Sequence, residues 1–401
     1  ESALDASVSG GNNTAIGKNA LTSNTTGVSN TAVGAEALSS NTTGFTANTA
    51  VGVSALHGNT TGTGNVAVGY TALREGTTRL NNTAIGFEAL RLGSTGNNNT
   101  AVGSTVLTNN TANNNTGVGF LALTANTTGT QNTALGALAL DANTTAGDNV
   151  AVGYSSLTDN TTGAANVSVG TNSLANNTTA SHNTGLGNAT LHVNSTGANN
   201  TAVGSLALYA NTSGGDNTVV GSIALDANTT GARNTAIGRD SLGANTTGSD
   251  NVVIGQSAFS RQATINNNTG VGNEAGMFQT GGSNVAVGRS AFKGTSSGTY
   301  DGQYNTAVGT SSLFNNTTAD NNTAVGNNAL NLNTTGADNV AVGSGALDAN
   351  TTGDKNVAVG KGALTNATTA DNNVAIGRVA MEQNTTGASN VAVGANALDA
   401  N

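Results

Sequence analysis

Apolar and polar positions follow one block along the whole chain: Asn, Thr or Val, a small residue, an aliphatic, Gly, two free positions, Ala, Leu, two free positions, Asn, Thr, Thr, Gly or Ala, and two more free positions. Numbered p1 to p17, the block recurs 23 times, from Asn13 to Asn390, and 18 of its 22 steps are 17 residues long. One step is 18 residues, two are 16 and one is 21. The p1 Asn, the aliphatic p4 and the p5 Gly occur in every copy. Position p9 is Leu except at Phe259, Gly276, Phe292 and Met381. Position p6, by contrast, ranges over Lys18, Tyr70, Asn188 and Arg289.

A 17-residue period is too short for a pair of helices, and Gly, Asn, Thr and Val are poor helix residues. They suit short strands joined by turns, with Val and Thr in the strands and Gly and Asn where φ is positive. The pattern predicts an all-β fold: a single parallel β-solenoid, or β-roll, of about 23 coils. Each coil is expected to hold two or three strands, with turns at p5, near p12 and over p15 to p17. Coils about 4.8 Å apart would give a rod about 110 Å long. Residues 1–401 read as one continuous repeat domain, irregular over 256–304. Glu1 falls at p6 and Asn401 at p12, so both ends cut a repeat, and a segment of a longer polypeptide is expected.

Alternation along p2 to p4 sends p2 and p4 to one face and p3 to the other. Both faces are restricted, p2 and p4 to Thr, Val, Ile and Leu, and p3 to Ala, Gly, Ser and Val. The larger p4 and p9 side chains are therefore expected to form two internal columns. Position p3 (Ala32, Ala67, Ala202, Ala341) is expected to face outward against a second chain, because a strand restricted on both faces is usually buried on both.

Composition narrows the function classes. Charged residues are 8% and aromatics 3%, with no Cys and no Pro. The net charge of −9 is spread thinly, and without a basic patch no nucleic-acid partner is expected. No apolar run approaches a membrane span, so this segment is expected to make no membrane contact. Glu1 opens no signal-peptide pattern.

The run Asn13-Thr14-Ala15-Ile16-Gly17, followed by Ala20-Leu21, resembles the head repeat of trimeric autotransporter adhesins of the YadA type, and similar repeats occur in phage tail fibres and related surface fibres. The resemblance covers essentially the whole chain. It implies a left-handed parallel β-roll, a homotrimer, and a head that binds a host surface, matrix or glycan. The chain departs in its longer coil with a regular Asn-Thr-Thr-Gly turn, and it carries no neck, coiled-coil stalk or membrane-anchor barrel.

Candidate chemistry is sparse, so no enzyme activity, cofactor or metal is expected. His57 and His192 share p10 but lie eight coils, roughly 38 Å, apart. Asp141, Asp226 and Asp348 recur at p10 several coils apart, with nothing to pair them as acid and base. The Asn-Thr-Thr turns place fifteen glycosylation sequons at p12, among them Asn24, Asn143 and Asn350. They also stack two Thr columns, p13 and p14, which turn chemistry explains and which an ice-binding face would use in a mixed Asn/Thr form. Over 256–304 the 21-residue step adds a loop, and Phe278, Arg289, Lys293, Tyr300 and Tyr304 form the candidate contact patch. The expected function is a structural or adhesive fibre segment, extracellular, on a cell surface or in a virion fibre. A phage tail-fibre shaft and an ice-binding solenoid are the alternatives.

Overall fold

Of the seventeen positions only p2 to p4, where β-branched residues concentrate, form a strand. In the computed structural model 23 such strands, each of three residues, recur at the repeat spacing. The structure describes residues 3–6, 9–43, 46–93, 95–295 and 300–399. The chain divides into two units, Glu1–Asn199 and Asn200–Asn401. The first holds β1 (Thr14–Ile16) to β11 (Thr184–Leu186), and the second β12 (Thr201–Val203) to β23 (Val391–Val393). Within each unit successive strands pair in parallel with p2 on p2 and p4 on p4, as in Thr14 to Thr31 and Ile16 to Val33, or Thr235 to Val252 and Ile237 to Ile254. Each unit is thus an all-β parallel solenoid. The long step is absorbed away from the strands, since β17 (Val285–Val287) still pairs β18 (Thr306–Val308) in register.

Among the described residues, the second and third strands expected in each coil do not form. The backbone there turns instead through left-handed residues at p7, p9 and p17, for example Glu36 (φ 59°), Leu38 (φ 51°) and Ser29 (φ 62°). Such backbone costs a non-glycine residue roughly 1–2 kcal/mol and persists only where its surroundings enforce it. The enforcement is hydrogen bonding between coils around the whole circuit. The N–H groups of p2, p9, p11 and p13 donate to the next coil, as in Leu21 to Ala37 O (3.0 Å) and Ser23 to Ser39 O (3.0 Å). Those of p5, p7 and p17 donate to the previous coil, as in Gly34 to Ile16 O (2.7 Å). The p5 Gly is required twice over. Its φ is near +135°, and a Cβ on Gly34 would lie 2.5 Å from the carbonyl oxygen of Gly52 one coil on.

The strand pleat is opposite to the one expected from side-chain size. Ala32, Ala67, Ala202 and Ala341 are fully buried within their own coils, as are the p8 alanines and p9 leucines such as Leu208. The p4 aliphatics point outward: Val220 is 38% exposed and Ile254 39%. The p9 column is internal as expected, and the p4 column is not. The reason is room. The slot facing p3 is already filled by p8 and p9 of adjacent coils, and p3 is Gly beside the enlarged Val106 and Phe259. A Cβ on Gly117 would meet Val106 Cγ1 at 2.6 Å, and one on Gly270 would meet Phe259 at 2.7 Å. A second chain is therefore not what restricts p3.

Two asparagine columns run through each interior. At p1 each carboxamide oxygen accepts the N–H of the next p1 (Asn30 N to Asn13 Oδ1, 2.9 Å), while Nδ2 donates to the p15 carbonyl (Asn13 to Gly27 O, 2.8 Å). At p12, Nδ2 donates to the previous p12 oxygen (Asn41 to Asn24, 2.9 Å) and to the p15 carbonyl (Asn24 to Gly27 O, 3.1 Å). Where Gly76 replaces the p12 Asn, Arg79 lays its guanidinium across the vacancy, and a Cβ on Gly76 would sit 2.1 Å from its Nε. Its Nη1 donates to Leu90 O at 2.9 Å, and burial lowers its pKa to about 10.

Candidate functional site

With both asparagine columns inside, function belongs to the outward positions. The p12 sequons do not contribute: Asn24, Asn143 and Asn350 are fully buried and their Nδ2 groups are engaged, so the folded coil offers no glycan acceptor there. No mixed Asn/Thr column reaches the surface either. The p13 hydroxyls donate to the next coil's p13 carbonyl (Thr25 to Thr42 O, 2.9 Å), which leaves p14 as the exposed column. The strand face is different. Its p2 threonines, such as Thr218 and Thr235, point outward, and among the described residues no p2 hydroxyl has a hydrogen-bond partner. With p4 they make an uncharged face of methyls and free hydroxyls repeated at the coil spacing.

The titratable groups do not converge. Ser39 Oγ lies 2.7 Å and Glu36 Oε2 4.0 Å from the same His57 nitrogen, Nδ1, so the three cannot relay a proton from hydroxyl to carboxylate. Burial pushes the Asp141, Asp226 and Asp348 carboxyls up from the ordinary carboxylate range, opposed at Asp141 by the hydrogen bond from Thr158. Among the described residues no three His, Asp or Glu side chains gather as a metal site, and no cleft or cavity is present. No helix is long and apolar enough to cross a membrane.

The candidate patch at 256–304 is dispersed. Residues 296–299 of its loop lie outside the described residues. Tyr300 is only 4% exposed: its ring packs over Gly294, and its hydroxyl bonds the Thr295 N–H at 2.9 Å and Oγ1 at 2.5 Å. It fills the interior and offers no contact surface. Half-buried Phe278 and Lys293 are neighbours on successive coils, the Phe278 N–H donating to Lys293 O at 3.0 Å. Lys293 pairs with Glu274 at 2.6 Å, and this bond holds the glutamate carboxyl below its ordinary range. Arg289 (p6) and Tyr304 (p17) are exposed at other corners of their coils. The leucine replacements Phe259 and Phe292 are core residues, fully buried.

A different aromatic group carries the site. Tyr70, Phe87, Phe120 and Tyr154 all occupy p6 in the first unit and are 50% to 54% exposed. The Tyr70 and Phe87 rings stack with centroids 5.5 Å apart and planes 12° from parallel. Backbone bonds keep this column in step: Tyr70 O accepts from Glu88 N (3.0 Å), Phe87 O from Thr105 N (2.8 Å) and Phe120 O from Leu138 N (2.9 Å). Sequence reading passed over it because p6 is variable. The signal was countable all the same: the chain has seven Phe and five Tyr, and four of these twelve stand at one repeat position within six consecutive copies. No protein-family model matches the chain, and comparison with curated proteins finds no relative.

Proposed function

We propose that the chain is a structural and adhesive segment of an extracellular or cell-surface fibre and has no enzymatic role. The observation that carries this reading is the division of labour within the coil. The positions whose side chains build the interior or the tight turn, p1, p3, p5 and p9, are nearly uniform, while p6, p10 and p17 display varied side chains on a repetitive scaffold. That arrangement suits a spacer that also makes contacts, with a host surface, matrix or glycan as partner and neither nucleic acid nor membrane. The same scaffold would serve as a phage tail-fibre shaft. The test is retention of the full chain on matrix-protein-coated, glycan-coated and cell-coated surfaces. Retention above an inert control supports adhesion, and passage over all of them overturns it.

The strand face favours a second element of this reading. An uncharged stripe of Val, Ile and Thr on one side of each unit is the surface by which a homotrimer would close about an axis. Left open, its free p2 hydroxyls and β-branched methyls, held in few rotamers, would suit an ice-binding face. Sedimentation of the intact chain separates the two: a trimer covers the stripe, and a monomer leaves it to water.

A further inference from the structure

We infer that the p6 aromatic column of the first unit is a saccharide-binding site with two ring-sized slots. The inference rests on the adhesive reading above and names the ligand class. Phe87 and Phe120 stand two coils apart with Ser104 at the intervening p6, and Phe120 and Tyr154 stand two coils apart with Ala137 between them. Coils spaced about 4.8 Å apart put each pair of rings about 10 Å apart, room for one saturated ring in carbon contact on both sides. Because the Tyr70–Phe87 centroid distance of 5.5 Å is close to the coil spacing and the planes are nearly parallel, these rings stack along the coil axis. Phe87 therefore turns its second face toward the Ser104 slot.

Polarity selects among ligands that stack on aromatic rings. Ser104 offers a hydroxyl that has no hydrogen-bond partner among the described residues, at the floor of the first slot, to meet a sugar hydroxyl. Nucleobases also stack on such rings, but their phosphates need cations. The arginines of these coils are committed, Arg74 to Glu75 at 3.0 Å and Arg91 to Glu88 at 3.0 Å. The p6 positions from Ala35 to Tyr154 carry no charge, whereas in the second unit Arg239, Arg289, Lys361 and Arg378 occupy p6. The partner that fits is a neutral oligosaccharide, its pyranose C–H faces against the rings and successive residues seated in successive slots.

The experiment passes the full chain over beads bearing maltohexaose, cellohexaose, N-acetylchitohexaose or oligo-N-acetyllactosamine, with oligothymidylate beads alongside. We expect retention on at least one saccharide. Phe87→Ala with Phe120→Ala should abolish it, Ser104→Phe with Ala137→Phe should abolish it by filling both slots, and Arg239→Ala with Arg289→Ala should leave it intact. All the changed side chains lie outside the coil, so unchanged thermal unfolding confirms the fold. The inference is overturned if no saccharide bead retains the chain, if retention survives loss of both phenylalanines, or if only oligothymidylate binds. Retention on matrix or cells without any saccharide binding would sink this inference alone and leave the adhesive reading standing.

Discussion

Gly276 stands where nineteen repeats carry leucine, and its neighbour explains it: a Cβ at 276 would lie 2.3 Å from the Phe259 ring. The backbone itself accepts leucine, since φ is +61° at Gly276 and 53° at Leu242. Gly276→Leu alone should destabilise by about 1–3 kcal/mol through overpacking. Adding Phe259→Leu should restore most of that, because the pair then matches the common repeat. Urea unfolding of the two single variants and the double variant checks this, and additive costs would refute it. Asp348 is a second residue-scale case. Burial raises its carboxyl pKa above the unfolded value, so protonation favours the folded coil. Its stabilising contribution is present below the unfolded carboxylate range and lost as pH rises through the folded one. Asp348→Asn should therefore raise the melting temperature at neutral pH, with the gain vanishing in acid.

At the scale of the element, the repeat itself was fully legible, because p1, p4, p5 and p9 are written into nearly every copy. The strand's position at p2 to p4 was legible too. Its facing was not: size suggests that Val at p4 is interior and Ala at p3 is not. What decides is the narrow slot already occupied by p8 and p9, which only coordinates reveal. The asparagine columns were visible as letters but read as turns, since p12 Asn also tolerates left-handed backbone. Their energetic role can be tested where the column breaks. Asn350 Oδ1 has no partner, and the next p12 is Ala367. Ala367→Asn should supply the missing donor and stabilise by about 1 kcal/mol, measured by thermal unfolding. A loss of stability would show that the column contributes packing rather than hydrogen bonds.

For the whole molecule, composition excluded more than it identified. Small, uncharged residues are what stacked coils require, so most of the sequence reports folding and little reports function. The candidate patch at 256–304 stands out in the sequence because it breaks the repeat. Tyr300 and the buried phenylalanines show that much of this irregularity serves the interior. The aromatic column lies where the repeat is unbroken, at a position that stacking leaves free to vary. The account of the coil, and with it the trimer and ice-binding readings, depends on which face of p2 to p4 looks outward. Val219 and Val220 test this directly, being adjacent, identical in type and assigned to opposite faces, in a chain without cysteine. Val219→Cys and Val220→Cys should be treated with a hydrophilic thiol reagent under native conditions. The account predicts no modification at 219 until the chain unfolds, with rapid modification at 220 in the monomer and slower modification there only where sedimentation shows a trimer; modification at 219 with protection at 220 would contradict it.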